Sequence, residues 1–491
     1  MLDIPAWSGL TVSVIGVIDL IIRITALFVV PRNRTPSSGT AWLLFIFFFP
    51  IVGLIAFLIF GANKMPKGRR EKHNHVVKQM QQVAQGDAAE FGTDLAGLPP
   101  GLESVERLAL SLGAQPMLTG NQATITYDYE QSIAAMTAAI REARDEVNIE
   151  FYIFSYDPTT HDVFEAMREA SARGVKVRVM LDHIAMVRQP KLSETTRKFD
   201  EVGAEWAYML PIRPWRGQWR RPDLRNHRKL MVVDGAVGFV GSQNLIDSSY
   251  NKKGNLRRGL HWQDIMVRVT GPVVASINRV FMGDWYIETG QTLEDNKPRV
   301  ISTPKSGVSF DCQILPSGPG FGDENNLQVF IALIGIAKSR VSITSPYFVP
   351  DEAIMYALRA ATARGVDVEL FVSETGDQAM VYHAQRSYYE ALLRSGVRIY
   401  MFRSPYILHA KHFTIDDHTA VIGSSNMDQR SFNLNMEVSM IVTGEEFVKD
   451  LDKVNDYYHN NSRELTLDEW LKQPLRSQLL DGLCRLTSSL Q

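Results

Sequence analysis

Apolar positions along this chain fall into distinct regimes. At the N-terminal end they run almost unbroken: residues 10–30 are long enough to span a bilayer, and residues 42–60 form a second stretch with no charge. The link between them, Pro31-Arg32-Asn33-Arg34-Thr35-Pro36-Ser37-Ser38-Gly39, is rich in turn formers. Together they predict a transmembrane helical hairpin over residues 1–61. A secretory signal peptide is the competing reading of the first stretch, but Asp3 and no basic residue precede it, and a second apolar stretch follows. Residues 62–120 are a weakly patterned connector, with helical pieces expected near 74–85 and 101–112 and breaks at Gly86, Gly92 and Pro99-Pro100-Gly101.

Beyond residue 120 the pattern alternates. Residues 147–154 read as a strand, a helical stretch ends at Ala172-Arg173-Gly174, and residues 175–181 read as a strand. The order returns in residues 341–344, a helical stretch ending at Ala363-Arg364-Gly365, and residues 366–372. Gly174 and Gly365 stand where a helix C-cap needs positive φ. Strand–helix–strand order in both places predicts an α/β fold with parallel crossovers. A period of roughly 190 residues is far longer than a solenoid repeat, so it predicts two tandem domains, 121–295 and 296–491, forming a pseudo-twofold pair. Leu467, Leu471, Leu475, Leu479 and Leu483 recur at i+4 near the end. They predict an amphipathic helix packed on the body.

Composition narrows the class. A formal charge of −2 argues against a general nucleic-acid binder. Cys312 and Cys484 provide neither a disulfide framework nor a C-x-x-C metal site. Asp19 and Arg23 lie inside the first apolar stretch, where each alone would cost about 2.5–3.5 kcal/mol; at i, i+4 with the acid first they suit an ion pair. Basic residues flank the second stretch on both sides, Arg32 and Arg34 before it and Lys64, Lys67, Arg69, Arg70 and Lys72 after it. The richer flank is expected in the cytoplasm, and the rest of the chain with it. His73 and His75 form an H-x-H without a further ligand and are expected to be solvated.

The chemistry lies in a polar pattern that occurs twice. His227, Lys229, Asp234, Gly241, Ser242 and Asn244 recur as His409, Lys411, Asp416, Gly423, Ser424 and Asn426 with identical spacing. Each histidine opens a strand, 229–234 or 411–416. Two lysines, two asparagines and two serines could donate to the oxygens of a phosphodiester. One histidine can attack phosphorus and the other can move the proton of the leaving or entering alcohol. No metal or cofactor is expected. Asp234 and Asp416 belong to the motif but follow an apolar run at a turn, and read as ordering the lysine or the turn.

The doubled H-x-K-x4-D-x6-G-S-x-N pattern resembles the phospholipase D superfamily. With the N-terminal hairpin, Ser317-Gly318-Pro319-Gly320, Tyr347-Phe348-Val349-Pro350 and Trp470, the resemblance extends to the bacterial cardiolipin synthases and covers nearly the whole chain. It implies His227 as nucleophile and His409 as acid/base, although the symmetry of the motifs permits the reverse. It also implies a carboxylate for each histidine, crossing between halves: Glu437 near His227 and Asp264 near His409. These two carboxylates do not align by spacing, since Asp264 follows Asn244 by 20 residues and Glu437 follows Asn426 by 11.

The implied activity joins two phosphatidylglycerol molecules into cardiolipin and glycerol at an anionic bilayer, the inner membrane of a bacterium. No nucleic-acid partner is expected. The rivals are hydrolysis by water, transfer to another alcohol, a tethered nuclease and a non-catalytic scaffold. Residues 211–225, with five arginines and two tryptophans, suit a headgroup interface; the same composition could stack single-stranded nucleic acid. His183, His383 and His412 lie near strands and have no assigned role.

Overall fold

The computed structural model describes residues 7–32, 34, 36–61, 66–213, 221–294, 309–322 and 324–486. The chain forms two units, one made of residues 1–68 and 212–223, the other of residues 69–211 and 224–491.

The larger unit is built on one mixed sheet. In the first half lie β1 (Leu118–Thr126), β2 (Glu146–Phe151), β3 (Lys176–Asp182), β4 (Glu205–Met209), β5 (Arg225–Asn226), β6 (Lys229–Val233), β7 (Val237–Gly241), β8 (His261–Gln263) and β9 (Met266–Thr270). In the second lie β10 (Phe310–Ser317), β11 (Arg340–Thr344), β12 (Phe348–Val349), β13 (Asp367–Ser373), β14 (Arg398–Phe402), β15 (Tyr406–Leu408), β16 (His412–Ile415), β17 (Thr419–Gly423), β18 (Met427–Asp428), β19 (Asn435–Thr443) and β20 (Ser462–Leu465). The main path runs β20-β14-β13-β11-β16-β17-β19-β10-β1-β9-β7-β6-β2-β3-β4. Apart from β20 it reads the same from both ends, with β10 and β1 antiparallel at the centre.

Parallel crossovers join only β2, β3 and β4, and likewise β11, β13 and β14. Gly174 and Gly365 end the crossover helices at φ 89° and 86°, which a Cβ would strain. The other strands of each half form an antiparallel meander, β2-β6-β7-β9 and β11-β16-β17-β19. Short turns explain the change: β6 and β7 are joined by the three residues Asp234, Gly235 and Ala236, the first two at φ 52° and 61°, which reverses the chain without a crossover. One core layer is shared between halves, with Val267, Ile277 and Phe281 joined to Val438, Leu451 and Tyr458.

The smaller unit contains α1 (Trp7–Val29), α2 (Pro36–Phe48) and α3 (Pro50–Phe60). Among the described residues, no helix is long and apolar enough to cross a membrane. The unbroken apolar stretch over 42–60 predicts one helix; the structure breaks it at Phe49, whose φ and ψ are −133° and 73°. Pro50 is the cause, because it has no N–H to give and pushes the residue before it out of the α region. The chain then turns back, so that the Trp42 and Phe57 rings meet edge to face at 5.4 Å. Asp19 and Arg23 pair at 2.9 Å within α1.

Two expectations about side chains change. His73, on α4 (Lys67–Phe91), is buried rather than solvated and lies edge-on to Phe321; burial lowers its pKa to about 4. His75 is exposed. The C-terminal helix Leu475–Arg485 docks through its polar side: buried Asp481 meets His383 Nδ1 at 2.6 Å and Arg386 Nε at 3.2 Å. Leu475, Leu479 and Leu483 are exposed. The leucine stripe therefore faces away from the body, because an ion-paired anchor holds the opposite face.

Candidate active site

Both histidines sit at joints between halves. The short strand before His227, β5, pairs in parallel with the start of β19, Asn226 opposite Met436. The short strand before His409, β15, pairs in parallel with β8, Leu408 opposite Gln263. The ladder continues into the histidine backbones: His227 N–H donates to Met436 O at 2.8 Å, and His409 N–H to Gln263 O at 2.7 Å. The next residue on each partner strand is the carboxylate, Glu437 or Asp264. Backbone pairing thus delivers each carboxylate to the histidine of the other half.

His227 Nδ1 lies 3.0 Å from Glu437 Oε1, and His409 Nδ1 lies 2.7 Å from Asp264 Oδ1. An Nδ1–H donated to a carboxylate leaves the Nε2 lone pair available to an electrophile. Burial outweighs the pull of each carboxylate and lowers both histidines to about 4, so both imidazoles are neutral at pH 7. Burial raises the carboxylates, but the adjoining histidines, lysines and hydroxyls prevail and hold Glu437 and Asp264 below their ordinary range.

Lys229 and Lys411 are buried, and each donates Nζ to the carbonyl of the histidine two residues earlier, at 2.6 Å. Desolvation lowers them to about 7 and about 8. Each lysine also acts electrostatically on both histidines, so the two motifs share one field.

The remaining motif residues do other work than a phosphate-donor reading gives them. Ser242 donates Oγ to Asp264 Oδ1 at 2.6 Å and accepts from Ile265 N–H at 3.1 Å. Ser424 donates to Glu437 Oε2 at 2.6 Å and accepts from Val438 N–H at 3.0 Å. The hydroxyls therefore aim the carboxylates. Asn244 bridges Ile153 N–H and Tyr250 OH, and Asn426 bonds to Asp428.

Asp234 accepts from the N–H groups of Arg144, Asp145 and Glu146, and Asp416 from those of Lys338, Ser339 and Arg340. They tie the turns after β6 and β16 to the starts of β2 and β11. These contacts are at the far end of the strand from the lysine, so neither aspartate orders it.

A buried network under the first motif escapes a search for repeated residues, because the second half lacks it. Arg228, between His227 and Lys229, donates Nε to Glu437 O at 3.0 Å, NH2 to Ser317 O at 3.3 Å and NH1 to Asp284; Ala410 occupies its place in the second motif. Asp182 accepts from Asn226 N–H at 2.9 Å and from Arg225. Its counterpart at the end of β13 is Ser373, which accepts from Leu408 N–H at 2.8 Å. Asn226 Nδ2 donates to Glu150 at 3.0 Å, and burial raises that carboxyl to about 7. The available signal was polar residues ending otherwise apolar runs. Among the other histidines, His412 is buried against Tyr458 with no hydrogen-bond partner among the described residues, His383 serves the C-terminal helix, and His183 lies edge-on to Tyr208.

The family profile described as "Cardiolipin synthase, PLD-like domain" matches residues 136–285 and 330–457, and one described as "Phospholipase_D-nuclease N-terminal" matches residues 12–61. Cardiolipin synthase A of Proteus mirabilis strain HI4320 is 33% identical over 472 residues, 94% of this chain and 95% of its own. The chain belongs to the cardiolipin synthase family. Cardiolipin synthase A of Yersinia pseudotuberculosis strain PB1/+ is 31% identical over 96% of both chains. The crystal structure of a phosphatidylserine synthase from Haemophilus influenzae Rd KW20 shares the fold, with a TM-score of 0.59 at 14% identity over 79% of this chain and 100% of its own. In this cardiolipin synthase family member, both histidines, both lysines and both crossing carboxylates are brought together. The site combines two neutral imidazoles with opposed cations, a set suited to displacement at a phosphodiester.

Proposed function

We propose that the chain is a membrane-bound phosphatidyltransferase that makes cardiolipin from two phosphatidylglycerol molecules. The observation that carries this reading is the pair of imidazoles, each bound through Nδ1 to a carboxylate from the opposite half. His227 Nε2 attacks the phosphorus of one phosphatidylglycerol, a P–N bond forms, and the P–O bond to glycerol breaks. His409 acts from its minor protonated form: the imidazolium, held by Asp264, gives its Nε2 proton to the leaving glycerol and becomes neutral, then regains a proton from the primary hydroxyl of a second phosphatidylglycerol as that oxygen attacks phosphorus and the P–N bond breaks. Lys229 and Lys411 neutralise the phosphoryl oxygens through both steps. One phosphodiester replaces another, so the exchange needs no external energy source. Glu437 and Asp264 fix the tautomers and stabilise the imidazolium when it forms. Ser242, Ser424, Asn244 and Asn426 act as positioning residues, and Asp234 and Asp416 support the strands.

The N-terminal apolar segments anchor the enzyme in the cytoplasmic membrane of a bacterium, with both catalytic halves on the cytoplasmic side. The basic flank after residue 61 supports that orientation. The five arginines and two tryptophans of residues 211–225 support an interfacial position for the basic insertion, of which residues 214–220 lie outside the described residues. Purified protein, incubated with headgroup-labelled phosphatidylglycerol in vesicles, is expected to release glycerol and form cardiolipin, and a phosphohistidine is expected on His227. Phosphatidic acid as sole lipid product would assign the protein to the hydrolases; a phosphoenzyme that persists in His227→Ala would reverse the two histidines.

A further inference from the structure

We infer that the second apolar segment does not cross the membrane but enters and leaves it on one face, as a re-entrant wedge in the cytoplasmic leaflet. The inference rests on the membrane reading above and alters its topology.

The first argument is geometric. On a continuous helix Trp42 and Phe57 would lie about 22 Å apart, at 1.5 Å per residue, yet their rings are 5.4 Å apart. Ile46 and Gly53 would lie about 10 Å apart on the same basis, yet a Cβ on Gly53 would come within 2.8 Å of the Ile46 Cα. Glycine is what lets α3 lie against α2. Arg34, just before α2, stands over the ring of Phe57, 5.0 Å from its centroid and near the end of α3. The entry and exit of the wedge are therefore at one level.

The second argument is length. α2 has 13 residues and α3 has 11, about 20 Å and 16 Å. Neither reaches across a hydrocarbon core of about 30 Å. At the bend Phe49 N–H donates to Phe45 O at 2.9 Å and Gly53 N–H to Phe49 O at 2.6 Å, and Pro50 has no N–H to satisfy, which lessens the cost of a bend in lipid.

The flanking charge points the same way. Arg32 and Arg34 precede the segment, and Lys64, Lys67, Arg69, Arg70 and Lys72 follow it. A crossing would place the smaller basic group, Arg32 and Arg34, outside, although cationic flanks favour the cytoplasm. A wedge places both in the cytoplasm beside anionic headgroups. Leu44, Phe48, Ile51, Val52, Ile55 and Leu58 are exposed on it, an apolar surface whose partner is the acyl region.

The test uses the full-length protein in native membranes, with Cys484→Ser as background. Ser38→Cys and Gly68→Cys are each treated with a membrane-impermeant maleimide in spheroplasts and in inside-out vesicles. Both are expected to react in inside-out vesicles alone, and Phe49→Cys in neither. Reaction of Ser38→Cys and Gly68→Cys from opposite faces would overturn the wedge. Trp42→Cys with Phe57→Cys is expected to be joined within one chain by a short bis-maleimide, read by mass spectrometry; absence of the cross-link would also overturn it. Extraction of the protein by alkaline carbonate would instead overturn the membrane reading, and the wedge with it.

Discussion

Each histidine depends on one carboxylate, and the dependence can be measured separately on the two sides. Glu437→Gln and Asp264→Asn keep shape but remove the charge that stabilises an imidazolium. Each is expected to lower kcat by about 10²–10⁴-fold, the range of general acid–base contributions, in protein whose circular dichroism is unchanged. A fall of less than tenfold would count against either assignment. The lysines set the alkaline limb. Their folded-state values, about 7 and about 8, mean that the cations are present below those values and lost as pH rises through them. kcat/KM, which reports the free enzyme, is expected to decline above about pH 7. A profile flat to pH 9 would refute the neutralising role of the lysines. At this scale the sequence was readable where residues repeat. Both histidines, lysines, asparagines and serines stand in register, whereas Arg228 stands where the second motif has Ala410. The serines were found but given the wrong partner, because spacing does not show which way a hydroxyl points.

Elements are held by contacts that the sequence pattern could only suggest. Asp234 and Asp416 each gather three backbone N–H groups from a strand remote in sequence. Asp416→Ala is expected to cost about 1–3 kcal/mol, as for unpaired backbone donors, visible as a lower melting temperature with kcat unchanged below the transition. Loss of kcat without loss of stability would return the residue to the chemistry. At the C-terminal end, Asp481→Ala removes the anchor of a helix whose leucines face outward. Limited proteolysis is expected to cut near residue 474 faster in that variant; equal rates would show that the helix is held otherwise. The leucine period gave the C-terminal helix over Leu475–Arg485 but missed the break after Leu467–Trp470 and the orientation, since a stripe of leucines and a buried aspartate pair make opposite demands, and the ion-paired side docks. The unbroken apolar run over 42–60 suggested one helix, and Pro50 overrode it.

The whole molecule carries two half-sites on one sheet, and each chain completes its own site through β5 on β19 and β15 on β8. Mixing full-length His227→Ala with His409→Ala is therefore expected to restore no cardiolipin formation, whereas exchange of halves between chains would restore it. The duplication and the α/β class were legible from order and period. The antiparallel meander was not, because a three-residue turn and a longer crossover leave similar apolar runs on either side. The crossing of carboxylates has a consequence during synthesis. Glu437 is 210 residues beyond His227, a delay of roughly 10–40 s at translation rates of about 5–20 residues per second. Throughout that interval the first histidine has been made without its partner, while Asp264 waits for a histidine not yet translated. A nascent chain is thus without a complete site until the second half has folded onto the first.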